Sequence, residues 1–143
     1  METVFHSFFF ISPSKDVFEA ISTPDGLNSW WSKTCAGNAA LGEEYQMGFG
    51  PGYDDWCAVI SKYSPREFEL TFENAMEDWI GTRVGFVLTD KNDATNVEFY
   101  HSGWSSQSEH FKISSYCWAM CLRLLRRFVE LGEVVEFDNR NDV

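Results

Sequence analysis

The chain has 143 residues, with 22 Asp and Glu against 11 Lys and Arg, a formal net charge of -11, and 44% hydrophobic and 17% aromatic residues. That length suits one domain, which buries about two thirds of its unfolded surface without a disulfide or metal staple. The acidic balance excludes a nucleic-acid backbone as partner and disfavours an anionic membrane surface, and no run approaches the roughly 18 apolar residues of a membrane span.

In chain order, Val4 to Ile11 reads as a first strand, rich in aromatic and β-branched residues. Ser12-Pro13 offers an N-cap and a proline at the first helical position, predicting a short helix through Val17, Phe18, Ala20 and Ile21. Thr23-Pro24 repeats the signal for a second short helix, from Asp25 to about Trp31. From Glu43 onward the pattern is strand-like. Glu43 to Phe49 and Asp55 to Tyr63 flank Gly48-Phe49-Gly50-Pro51-Gly52, which reads as a hairpin because no helix follows to offer a phosphate-binding terminus. Glu67 to Glu73 alternates, with Phe68, Leu70 and Phe72 on one side. Trp79 to Thr89 reads as another strand, and Asn96 to His101 as the last, with Val97, Phe99 and His101 on one face.

The end of the chain holds one long helical pattern, Gln107 to Leu131, free of Pro and Gly and stopped by Gly132. On a wheel of ~100° per residue, Phe111, Cys117, Trp118, Cys121, Leu122, Leu124, Leu125, Phe128 and Val129 form one apolar arc. Arg123, Arg126 and Arg127 stand opposite, within reach of Glu130 for ion pairing along the helix. One long helix among so many strands has to lie across the sheet to bury its apolar face. The expected fold class is therefore α+β: a curved antiparallel sheet of about six or seven strands wrapped round the C-terminal helix, with two short helices after the first strand. That geometry tends to leave an internal cavity.

Chemistry-bearing motifs are sparse. Cys35, Cys57, Cys117 and Cys121 form no C-x-x-C pair and read as buried small hydrophobes. The apolar run Phe8 to Ile11 is too short for a secretory leader, and free thiols suit a reducing compartment, so a cytoplasmic location is expected. No nucleophile motif is present. His101 shares the inner strand face and reads as a hydrogen-bonded core histidine or as a polar group at a cavity mouth. His6 faces inward with Phe8 and Phe10, and His110 lies at the edge of the helix's apolar arc, yet no carboxylate in sequence supports the three as metal ligands, so no metal or other cofactor is expected. Trp30-Trp31 reads as an anchor for the second short helix or as a pocket wall.

Ser12-Pro13 with Asp16-Val17-Phe18, Thr23-Pro24-Asp25-Gly26-Leu27 running into Trp30-Trp31, Ser64-Pro65, His101-Ser102-Gly103-Trp104, and Trp118 with Leu122, Leu125, Val129 and Gly132 occur in the order seen in one family. Together they resemble the activator-of-heat-shock-protein-90-ATPase homologues of the helix-grip (START-like, SRPBCC) superfamily. The resemblance implies a cavity between sheet and helix that takes sterols, lipids, polyketides or similar molecules, and it supplies no catalytic residue. The expected function is non-catalytic binding of a small hydrophobic ligand, lined by Phe8, Phe10, Trp31, Phe72, Phe99, His101, Trp118, Cys121, Leu122 and Leu125. Two alternatives stand beside it. One is a module that regulates a chaperone or another protein through Arg123, Arg126 and Arg127, with a dimer also compatible. The other is a cyclase- or hydratase-type enzyme working in the same cavity.

Overall fold

The computed structural model describes residues 1–142. Strand β1 (Glu2–Phe10) leads into helices α1 (Ser14–Ser22) and α2 (Pro24–Trp30). Strands β2 (Thr34–Ala36), β3 (Glu44–Gly48), β4 (Trp56–Ser64) and β5 (Glu67–Asn74) follow. A 3-10 turn, Glu77–Trp79, precedes β6 (Arg83–Lys91) and β7 (Ala94–Trp104), and helix α3 (Glu109–Leu131) leads to a last 3-10 segment, Phe137–Asp142. The seven strands form one antiparallel sheet in the order β1-β7-β6-β5-β4-β3-β2, so the chain's first strand closes one edge beside its last. Bulges in β1 and β4 interrupt the register and help to curve the sheet.

The caps follow from local chemistry. Thr23 Oγ1 accepts from the Gly26 N–H at 3.0 Å, with Pro24 in the first turn of α2. Ser108 Oγ accepts from the Phe111 N–H at 3.2 Å and opens α3 two residues later than the sequence pattern suggests. Gly132 ends α3 in the left-handed region at φ 69°. At α1 the expectation is corrected: Pro13 is the cap, without a side-chain bond, and the Ser12 carbonyl instead accepts from Thr95 Oγ1 at 2.7 Å. Two further differences have physical causes. β2 is only three residues long, too short to show a period. Trp79 belongs to the 3-10 turn, where its ring fills the core from a loop rather than from a strand.

The core lies between one sheet face and the helices. Its floor is Val4, Phe10, Tyr45, Ala58, Ile60, Phe68, Leu70, Phe72, Val84, Phe86, Leu88, Val97 and Phe99, and its lid is Val17, Ile21, Leu27, Trp30, Trp118, Leu122 and Leu125. The backbone of α3 runs mainly beside α1, α2, β1 and the final 3-10 segment rather than along the central strands. Large rings bridge the gap: Trp118 lies 4.6 Å from Phe99, 5.0 Å from Trp31 and 5.9 Å from Trp79, centroid to centroid. The tail returns to this assembly through Arg140, which is buried and donates to the carbonyls of Asn28, Ser32 and Val135.

Candidate functional site: a cleft between the edge strand and the long helix

The residues expected to surround a cavity fall into two groups. Trp31, Phe72, Phe99 and Trp118 touch one another: Trp31 and Phe72 lie 6.1 Å apart, and Trp56 and Trp79 pack against Phe72 at 6.0 and 5.4 Å. Phe10 and Leu125 have no solvent exposure. These side chains form a packed aromatic layer. Phe8 and Leu122 stand at its margin, where β1 meets α3, and Cys121 packs against the core on the side of α3 that faces Arg140.

His101 is built into the layer. Its Nδ1 accepts from Trp118 Nε1–H at 3.0 Å, so Nε2 carries the proton and donates to Thr82 Oγ1 at 2.9 Å. The Thr82 hydroxyl in turn donates to the Trp79 carbonyl at 2.6 Å. Both imidazole nitrogens are engaged, the residue is fully buried, and burial, reinforced by His110, pushes its pKa down to about 3. The neutral ring ties β7, the Trp79 turn and α3 together. The other two histidines do not converge on it. His6 Nε2 donates to the Ser115 carbonyl at 3.2 Å, and His110 Nδ1 meets the Asp78 carboxylate at 2.7 Å, a partner the sequence pattern did not suggest.

Burial pushes Cys35 and Cys121 up to about 12 and raises Cys117, while burial together with the Glu44 and Glu73 carboxylates raises Cys57. The thiols are therefore held in the un-ionised form, which makes poor nucleophiles. Cys117 corrects the expectation of a buried side chain: it is exposed, whereas the buried residues of this stretch of α3 are Ser114 and Trp118.

An open cleft of about 180 Å³ lies between β1 and α3, lined by His6, Ser7, Phe8, Ala119, Leu122, Arg123 and Arg126. Two tethers frame it. The His6–Ser115 bond joins strand and helix at one end, and at the other the Ile11 N–H donates to Glu130 Oε2 at 2.7 Å. Between the tethers the helix carries Ala119, whose small side chain leaves room, and Leu122, whose buried face forms an apolar floor with Phe8. Arg123 and Arg126 stand on the helix edge above that floor. The helical wheel held a sign of this: Arg126 lies only ~40° from Leu122 at ~100° per residue.

The three arginines differ. Arg127 pairs with Glu133 beyond the helix cap rather than with Glu130. Arg126 makes only a long approach to Glu130, 4.0 Å. Arg123 has no ion pair among the described residues.

A curved antiparallel sheet gripping a C-terminal helix, with an apolar cleft at its open edge, defines a helix-grip protein. Residues 12–130 match the sequence profile of the Activator of Hsp90 ATPase homolog 1-like protein family, and the chain belongs to that family. Comparison with curated proteins finds no match. Among solved structures, the Aha1 dimer of Colwellia psychrerythraea is 24% identical, covers 93% of this chain and 99% of its own, and superposes with a TM-score of 0.79. CalU16 from Micromonospora echinospora is 18% identical, with 98% of this chain and 81% of its own covered and a TM-score of 0.75. At these identities the likeness is one of fold. No helix among the described residues is long and apolar enough to cross a membrane.

Proposed function

We propose that the protein binds a small hydrophobic ligand, without transforming it, at the cleft between β1 and α3. One observation carries the reading: between the His6–Ser115 and Ile11–Glu130 bonds an open groove runs beside half-buried Phe8 and the edge of Leu122, while the space under α3 is occupied by packed rings. The fold supports it, since helix-grip proteins as a class take ligands beside this helix. A reaction of the cyclase or hydratase type would need a free titratable group inside. His101 has both nitrogens engaged, so the interior offers little for such chemistry. Native mass spectrometry with a panel of acyl and aryl probes tests the reading. The wild type is expected to retain probe, and Ala119→Trp, which fills the cleft from an exposed position, to lose it while keeping its circular dichroism. Equal retention by the two proteins would place binding elsewhere and contradict the proposal.

A second reading, self-association, is favoured by β1. This strand is a sheet edge, and from Thr3 to Phe10 it contains no Pro, Lys, Arg, Asp or Glu, the usual devices that discourage pairing. Phe5 and Phe9 are exposed on its outer face, at 74% and 49%. An antiparallel edge is complementary to its own two-fold copy, so the occupant we infer is a second copy of this chain. The Colwellia relative, similar in fold, is described as a dimer.

A further inference from the structure

We propose that the ligand of the β1–α3 cleft is a monoanion: a short acyl or aryl carboxylate whose tail rests on Phe8 and Leu122 and whose charged end meets Arg123 and Arg126. The inference rests on the preceding reading of the cleft and adds the chemical class of its occupant.

Three features carry it. The first is shape. The open cleft offers about 180 Å³, and roughly 150 Å³ holds a benzene ring, so the space matches one ring or a short chain. The second is the arrangement of its lining. The apolar groups, Phe8, Ala119 and Leu122, lie together, and the two guanidinium groups stand along one rim. An apolar tail with a charge at one end matches that division, whereas a wholly apolar molecule would leave its end against two cations. The third is the state of the arginines. In a chain of net charge -11, Arg123 has no ion pair among the described residues and Arg126 has only the 4.0 Å approach to Glu130, so both guanidinium groups at the rim are free to meet an anion. Glu130 is itself engaged by the Ile11 N–H at the end of the cleft. Planar guanidinium groups on one helix edge can each give a charge-assisted hydrogen bond to the same carboxylate. The two guanidinium groups place positive charge at this point of an otherwise acidic molecule, which favours an anion there.

Isothermal titration of the full chain with octanoate and with 1-octanol, at low salt, tests the assignment. Octanoate is expected to bind about tenfold more tightly than octanol or better, the consequence of one to two charge-assisted bonds. The double variant Arg123→Gln/Arg126→Gln alters exposed positions only, and it is expected to bind the two probes alike while octanol affinity stays as in the wild type. Equal affinity of the wild type for acid and alcohol would overturn the anionic assignment and leave the hydrophobic-ligand reading standing. Binding of neither probe, or binding that Ala119→Trp does not block, would overturn both. A preference for octanoate that survives in the double variant would show that the arginines do not supply it, and would reject the assignment as drawn.

Discussion

His101 has the form of a reactive residue and the surroundings of a structural one. Trp118 donates to one of its nitrogens and Thr82 accepts from the other, and its pKa of about 3 keeps the ring neutral throughout the physiological range. The folded value lies below the ordinary 6.5, so the unfolded chain takes up a proton that the native state refuses. The stability this residue contributes is complete above about pH 6.5 and is lost as pH falls toward 3, with a limiting slope of about 1.4 kcal/mol per pH unit. Urea denaturation between pH 7 and pH 4 is expected to show a smaller acid loss for His101→Phe than for the wild type, so that the gap between them narrows on acidification. Parallel profiles would contradict the account. Thr82→Val leaves the Nε2–H buried without a partner and is expected to cost about 1–3 kcal/mol.

Gly85 poses a different problem of space. A Cβ there would lie 2.2 Å from Cζ of Tyr100, whose ring crosses it to reach the Glu69 carboxylate. Glu69 is only 4% exposed although it sits on the sheet's outer face, because Tyr100 covers it and Ser61 donates to it. Gly85→Ala is expected to displace Tyr100, uncover Glu69 and cost about 1–3 kcal/mol in thermal or chemical unfolding. A neutral result would show that the ring moves aside freely.

At the scale of elements, the two edges of the sheet are unlike. β2 is three residues long and offers little to a partner, whereas β1 presents nine residues and two exposed phenylalanines. Sedimentation velocity is expected to show a concentration-dependent dimer for the wild type and a monomer for Phe5→Lys/Phe9→Lys, since lysines on an edge strand oppose pairing. A wild type that stays monomeric at high concentration would reject the second reading. The same elements show how far local signals reach. Thr23-Pro24, Gly132 and the alternation of Phe68, Leu70 and Phe72 each act within a few residues, and the sequence pattern places them correctly. Trp79 and Ser12 were misplaced because their roles are set by distant partners, His101 for one and Thr95 for the other. The arginines show the same limit: Arg127 finds Glu133 across the helix cap, outside the i,i+4 spacing that helix reasoning uses.

For the whole molecule, order of elements and fold were legible because each strand and helix carries its own period, and the superfamily resemblance rests on that order. The site was legible only in pieces. Phe8 and Leu122 could each be assigned to an apolar face, but whether those faces enclose a chamber or meet at a cleft depends on how six tryptophans pack. It also depends on a tether between residues 109 positions apart. The packing places Trp31, Trp79 and Trp118 in the gap beneath α3, and the opening lies at the side, between β1 and the helix. The central claim is that ligand is taken there. An amide chemical-shift map of the labelled protein titrated with octanoate tests it most directly. Saturable shifts are predicted at Ser7, Phe8, Ala119, Leu122 and Arg123, with the amides of Ala58, Leu70 and Phe72 unmoved; shifts centred on those interior strands, or no saturable shift in the cleft, would contradict it.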